Sequence, residues 1–105
     1  MLPKNMGNLM KQAQKVQQQM MKLQEELNAR EVSAQAGGGM VEAVVNGKGE
    51  LLRLRIEKEV VNPDDAEMLT DLIVAAVGEA QRRAQEMVQG EMGKLTGGLN
   101  LPGMM

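Results

Sequence analysis

The sequence predicts an α+β fold, in which a long helix precedes a three-stranded antiparallel sheet and a second long helix follows it. Three observations support this order. An apolar repeat of helical spacing opens the chain, alternating residues flank an Asn-Gly turn in the middle, and an amphipathic stretch begins after Pro63. Two long helices from 105 residues leave few partners for their apolar faces. We therefore expect an obligate oligomer, most simply a two-fold dimer.

The first helix is predicted from about Met6 to about Asn28, with glutamines at many of its polar positions. Its apolar residues recur with the alternating spacing of three and four that defines a heptad seam. This spacing is typical of a helix packed lengthwise on another helix. We name this set the first-helix seam; it comprises Met6, Leu9, Ala13, Val16, Met20, Leu23 and Leu27.

Three short strands are predicted next, because apolar and polar residues alternate over 31–36, 41–45 and 51–57. Gly37-Gly38-Gly39 separates the first two strands. Asn46-Gly47-Lys48-Gly49 is a strong hairpin signal, because Asn and Gly tolerate the positive φ that a primed turn needs. The pattern predicts an antiparallel meander with one buried face.

The third strand is predicted to be two-sided. Its buried face would carry Leu52, Leu54 and Ile56, and its other face Leu51, Arg53, Arg55 and Glu57.

The second helix has a clear start, with Asn62 as N-cap and Pro63 in the first helical position. Asp64, Asp65 and Glu67 fill its first turn, where negative charge complements the helix dipole. Its predicted apolar face consists of Leu69, Leu72, Ile73, Ala76, Val77, Ala80, Ala84, Met87 and Val88. Gly78 suggests a close helix–helix approach.

Repeated glycines from Gly90 onward predict a frayed helix end. We expect a single domain over 1–95 and a flexible Gly/Met-rich tail over 96–105.

Composition excludes several functional classes, because the chain has no Phe, Tyr, Trp, Cys or His. Metal sites of ordinary ligation and thiol or imidazole catalysis are not expected, and neither is base stacking on aromatic rings. No signal peptide or membrane-spanning stretch is evident. We expect a cytoplasmic protein that is not an enzyme, with no cofactor, no membrane association and no small-molecule substrate.

The positive charge is unevenly placed. The first 24 residues contain Lys4, Lys11, Lys15 and Lys22 and no acid, although the whole chain has a net charge of −2. On a helix these lysines lie within about 40° of one another, roughly opposite the first-helix seam. We name this set the lysine ridge. It is either a solvated helix face or a phosphate-contacting surface, since lysine contacts phosphate as a flexible point charge.

Arg82 and Arg83 form a second candidate for phosphate contact. The competing interpretation is a pair of i,i+4 ion pairs, Glu79 to Arg83 and Arg82 to Glu86, each worth only about 0.2–0.5 kcal/mol. Pairs this weak would not prevent a phosphate contact.

Six segments, in order, resemble the YbaB/EbfC family of bacterial nucleoid-associated proteins. They are Asn8–Gln14, Ala36–Val41, Asn46–Glu50, Val60–Asp65, Met68–Val77 and Gly97–Gly103. The resemblance spans nearly the whole chain. It implies a tweezer-shaped homodimer with a central sheet and protruding helices that binds double-stranded DNA.

Two functions remain open at this point. The first is a homodimeric binder of double-stranded DNA in the nucleoid, acting in nucleoid organisation or gene regulation, which the lysine ridge and the resemblance favour. The second is a tweezer-shaped protein-interaction scaffold or chaperone-like adaptor, which the net negative charge favours. In either case the residues predicted for dimer or core packing are Leu9, Val16, Met20, Leu23, Leu27, Leu52, Leu54 and Ile56.

Overall fold

The computed structural model describes the backbone of residues 4–98 and the side chains of residues 6–95. The predicted order of one helix, three strands and a second helix is confirmed. The elements are helix α1 (Lys4–Ala29), strands β1 (Val32–Ala36), β2 (Val41–Val45) and β3 (Leu51–Ile56), and helix α2 (Ala66–Gly98). Two 3-10 turns, Lys58–Val60 and Pro63–Asp65, connect β3 to α2.

The strands form one antiparallel sheet in the order β1-β2-β3. Ala43 in the middle of β2 pairs with Ala34 on one side and with Leu54 on the other. Near the β2–β3 turn, a register shift at Val45 pairs this residue with Leu51. The predicted alternation on β3 therefore holds from Leu52 to Ile56 but does not extend through Leu51.

The core lies between the sheet and α2. Ala76, Ala80 and Ala84 of α2 are fully or almost fully buried, as are Val41, Ala43 and Val45 of β2 and Ala34 of β1. Alanines on both surfaces let the helix approach the sheet closely without an aromatic residue between them. The predicted apolar face of the second helix is thereby confirmed for the turns that cover β1 and β2.

The inner face of β3 is less covered than the sequence predicted. Leu54 and Leu52 are 36% and 44% exposed, whereas Ile56 is half-buried and packs against the core. In the single chain Leu52 and Leu54 are exposed because α2 lies over β1 and β2 and leaves β3 open, and their packing in a core or dimer stays a prediction.

The first-helix seam is covered only toward the C-terminal end of α1. Leu27 is fully buried and Val16 and Leu23 are half-buried, but Met20 remains exposed and Leu9 is 59% exposed. The molecule extends 78 Å along its longest axis, while the 33 residues of α2 account for about 50 Å at 1.5 Å per residue. The N-terminal turns of α1 therefore project beyond the rest of the chain.

The start of the second helix is built in two steps. The Asn62 side chain accepts a hydrogen bond from the Asp64 amide at 3.0 Å and caps the 3-10 turn, and Asp65 then accepts one from the Met68 amide at 3.2 Å. The predicted cap at Asn62 is confirmed, and Asp65 adds a cap for α2 itself.

One of two predictions about glycines in α2 is wrong. Gly78 has no other part of the described single chain near the place where a Cβ would lie, so a close helix approach at Gly78 stays a prediction for the oligomer. The helix, however, continues through Gly90 and Gly93 to Gly98 instead of fraying from Gly90. The remainder of the predicted tail, residues 99–105, lies outside the described residues.

The β2–β3 turn differs from the primed turn that the Asn-Gly pair suggested. Its one positive φ belongs to Gly49, at 83°, and the Asn46 side chain accepts hydrogen bonds from the amides of Lys48 and Glu50 at 3.0 Å. Gly47 instead allows the turn to contact the end of α1. Its amide donates to the Asn28 carbonyl at 3.2 Å, and a Cβ at this position would lie 2.0 Å from the Leu27 carbonyl oxygen. The turn is thus docked on the end of α1 by backbone contact.

We predict that Gly47→Ala destabilises the protein by about 1–3 kcal/mol, because the new methyl group must push the turn away from α1. Gly78→Ala is the matched control, and it should stabilise an open helical position by about 1 kcal/mol. Urea unfolding at equal protein concentration measures both changes. A neutral Gly47→Ala variant would contradict the docking of the turn, and a destabilising Gly78→Ala variant would indicate a second molecule against α2.

Candidate nucleic-acid interface

The lysine ridge runs along α1, and its N-terminal members lie on the projecting turns. Lys11, Lys15 and Lys22 are all exposed, and the distance along the axis from Lys11 to Lys22 is about 17 Å. Lys4 belongs to α1 by its backbone, but its side chain lies outside the described residues. The structure therefore brings three of the four predicted lysines onto one exposed helix face.

The cations of this protein fall into two groups. Within residues 6–95, every arginine forms an ion pair with a carboxylate: Arg30, Arg53, Arg55, Arg82 and Arg83. In the same described range, Lys11, Lys15, Lys22, Lys48 and Lys58 form no ion pair, and Lys94 contacts Glu91 at 3.5 Å. Three of the five lysines without an ion pair stand on α1, so this helix carries most of the positive charge that is available to a polyanion.

Arg82 and Arg83 are held by carboxylates of their own helix. The Arg82 Nε donates to Glu79 at 3.0 Å and its guanidinium also bonds Glu86, while the Arg83 Nε donates to Glu79 at 3.1 Å. Both predicted i,i+4 pairs are confirmed. Arg83 also donates from Nη1 to the Ser33 carbonyl at 3.3 Å, which ties α2 to β1.

This network alters the titration of Glu79. The hydrogen bond from Arg82 lowers the pKa of the Glu79 carboxyl, and Arg83 contributes a smaller lowering. The same contact raises the pKa of Arg82. On β3, the hydrogen bond from Arg53 likewise lowers the pKa of Glu31. Each pair is solvent-exposed, so it fixes side-chain orientation more than it adds stability.

The arginine pair and the lysine ridge do not form one continuous patch. Arg30, just beyond α1, reaches the Met87 sulfur at 3.7 Å and Glu91 at 3.8 Å, which marks where the two helices meet. Lys11 lies 19 residues before Arg30, about 28 Å away along the helix axis, whereas Lys22 lies eight residues before it, about 12 Å away. A single short contact on one chain therefore cannot engage Lys11 together with Arg82.

Sequence reasoning missed the ion pairs on the outer face of the sheet. Arg53 bonds Glu31 through both nitrogens of its fork, and Arg55 donates to the Gly39 carbonyl at 3.2 Å. Alternation placed both arginines on that face correctly. The Glu31 partner of Arg53 lies 22 residues away in the chain, and the register of the strands brings the two together, whereas Arg55 also pairs with Glu57, only two residues away.

The model of the YbaB/EbfC DNA-binding family matches residues 3–99. A nucleoid-associated protein of Alkaliphilus metalliredigens is 56% identical over 100 residues, covering 95% of this chain and 88% of that protein. One of Pelotomaculum thermopropionicum is 51% identical over 104 residues, covering 99% of both chains.

A solved structure has the same fold. The crystal structure of an uncharacterized protein from Helicobacter pylori superimposes with a TM-score of 0.70, covering 91% of this chain and 98% of that chain. Its sequence identity is 22%, so the likeness concerns the fold alone. Within the described residues, no helix has the length and hydrophobicity needed to cross a membrane.

We predict that Glu79 titrates below the ordinary range of a glutamate and that Arg82→Ala raises its pKa more than Arg83→Ala does. Because the folded pKa is lowered, the stability that Glu79 contributes is present above the unfolded pKa and lost as the pH falls through the folded pKa. The carboxyl-carbon NMR shift, followed against pH, reports this titration directly. A larger effect of Arg83→Ala would mean that the network is centred on the other arginine.

Proposed function

We propose that this chain, which belongs to the YbaB/EbfC DNA-binding family, binds double-stranded DNA as a homodimer in the bacterial nucleoid. Family membership agrees with the resemblance of the six sequence segments. Nucleoid organisation or gene regulation, without catalysis, is the role we assign to it. The observation that carries the proposal is that Lys11, Lys15 and Lys22 of the lysine ridge are exposed and form no ion pair with the described residues.

Lys11 and Lys15 are the residues to which we assign the main phosphate contacts. The nearest acids that follow in the sequence are Glu25 and Glu26, which lie about 15 Å or more along the helix from Lys15. The Debye length at physiological ionic strength is about 8 Å, so those carboxylates barely reduce the potential at Lys11 and Lys15. Lys22 lies only one turn from them and contributes less.

The alternative function as a scaffold rested on the net charge of −2. Screening by salt weakens the repulsion between this net charge and DNA, because a phosphate beside α1 responds mainly to charges within about a Debye length. Most of the acids lie outside α1, and four of them already bind arginines, namely Glu31, Glu57, Glu79 and Glu86. The local charge on α1 thus supports a nucleic-acid partner despite the acidic total.

The dimer is proposed to form through β3. This strand has an open edge and an inner face with exposed Leu52 and Leu54. Two copies related by a two-fold axis would pair β3 with β3 in antiparallel fashion and bury these leucines between them. Arg53 and Arg55 would approach their counterparts, but each already binds a glutamate of its own chain, which reduces the repulsion.

Lysines contact phosphates without reading bases, so affinity should vary only modestly among unrelated duplexes. If the dimer neutralises two to four phosphates, log affinity should fall with log salt at a slope of about −2 to −4. The double variant Lys11→Glu, Lys15→Glu should abolish binding and leave helicity and dimerisation intact. Fluorescence anisotropy across a salt series measures these quantities.

The matched control is Lys48→Glu, Lys58→Glu, which changes the net charge equally at two exposed lysines outside α1. It should retain most of the affinity. Arg82→Glu should weaken binding less than the ridge variant, because Glu79 and Glu86 already hold that arginine. Equal losses in both lysine variants would mean that total charge, not the ridge, governs binding. No duplex binding at low salt would favour the scaffold function.

We predict a dimer of the 11.4 kDa chain at micromolar concentration and a monomer for Leu54→Asp, because the aspartate would place an unpaired charge in the β3 contact. Leu9→Asp is the matched control, since Leu9 is an exposed leucine on α1, far from β3. Sedimentation velocity distinguishes the outcomes. Dissociation by Leu9→Asp but not by Leu54→Asp would move the dimer contact from the sheet to α1.

A further inference from the structure

The exposed N-terminal part of the first-helix seam has no partner within the described residues. It consists of Met6, Leu9 and Ala13, and we name it the open seam. A helical segment this short is marginal in water unless its apolar face is packed. Farther along the seam Val16 and Leu23 are half-buried and Leu27 is fully buried, whereas Ala13 and Met20 are exposed.

The C-terminal end of α2 lies beside α1. The contacts of Arg30 with Met87 and Glu91 fix the two helices against each other, and Leu95 near the end of α2 is half-buried. The described chain ends at Gly98, seven residues and about 10 Å along α2 beyond Glu91, which contacts Arg30. Gly98 lies about 20 Å along α2 from Ala84, the last buried residue of the sheet core.

The seven residues that follow Gly98 have a composition that suits an apolar helix face. Their sequence is Leu99-Asn100-Leu101-Pro102-Gly103-Met104-Met105, with no charged side chain. Pro102 opposes a continued helix and favours an extended segment. Seven extended residues reach about 23–25 Å, and the open seam is only about 10 Å long from Ala13 to Met6.

We propose that residues 99–105 dock on the open seam of α1 in the same chain. A second copy of α1 could also cover this seam. However, a segment tethered by a short linker has an effective concentration in the millimolar range, about a thousand times that of a separate molecule at micromolar concentration. The tethered segment is therefore favoured over a separate molecule, and disulfide crosslinking distinguishes it from the α1 helix of the partner in a β3 dimer. This inference stands independently of DNA binding.

Docking on this side has a consequence for the lysine ridge. The ridge lies roughly opposite the seam, so the docked segment would order the projecting turns of α1 and leave Lys11 and Lys15 exposed. A helix that is already ordered loses less conformational entropy when it binds a partner.

Disulfide trapping tests the proposal cleanly, because the chain has no cysteine of its own. In Ala13→Cys, Leu101→Cys, mild oxidation by copper phenanthroline should join the two thiols within one chain, with loss of two protons and transfer of two electrons to the oxidant. The product should run as a monomer on a non-reducing gel. The control is Lys15→Cys, Leu101→Cys, whose first cysteine lies two residues away and about 200° around the helix.

The proposal expects at least tenfold faster intrachain crosslinking in the Ala13 variant than in the Lys15 control. Equal rates in both would overturn it, and a disulfide-linked dimer would assign the open seam to a second copy. Hydrogen exchange in the full-length protein provides a second measurement. Leu101→Asp should reduce amide protection over residues 6–13 at least tenfold and leave β2 unchanged, and unchanged protection in α1 would also overturn the proposal.

Discussion

The close contact of α2 with β1 and β2 determines the rest of this structure. A chain without aromatic residues builds its core from alanine and valine, and alanines on both surfaces bring helix and sheet together. A single helix packed closely on the sheet covers β1 and β2 and leaves β3 open. The same helix continues past the sheet and meets α1, which fixes the direction in which α1 projects. The exposure of β3 and the direction in which α1 projects thus both follow from the packing of α2 on the sheet.

The arginines form ion pairs and most of the described lysines do not, and this difference has a physical basis. The planar arginine fork bonds carboxylates through two nitrogens, and the structure uses it to join neighbouring turns of α2 and distant strands of the sheet. Lysine is a flexible and strongly hydrated point charge, which gains little from an exposed ion pair. Arginines that are engaged locally therefore contribute to the architecture, whereas the lysines on α1 keep their charge available to an external anion.

Sequence patterns predicted the elements of this fold well, because the information is local. The spacing of the first-helix seam, the alternation in the strands and the cap at Asn62 each reflect a period or a side-chain bond within a few residues. The ion pairs of Arg82 and Arg83 were predictable for the same reason. Burial was harder to predict, because the exposure of Leu52 and Leu54 depends on where α2 crosses the sheet. The demand for glycine at position 47 comes from a carbonyl 20 residues earlier in the chain, and no local pattern contains it.

The exposed apolar face of β3, the open seam and the lysine ridge can all be related to the proposed dimer. A two-fold axis at β3 would give each dimer two copies of α1, and α1 is about 39 Å long if its 26 residues are straight. Each copy carries few free lysines, and a single phosphate contact contributes little affinity at physiological salt. Two ridges on one rigid body can engage the same duplex with a much higher effective concentration for the second contact. In the proposed complex, dimerisation through the sheet and ordering of α1 would therefore both raise DNA affinity, although neither would place a residue on the DNA.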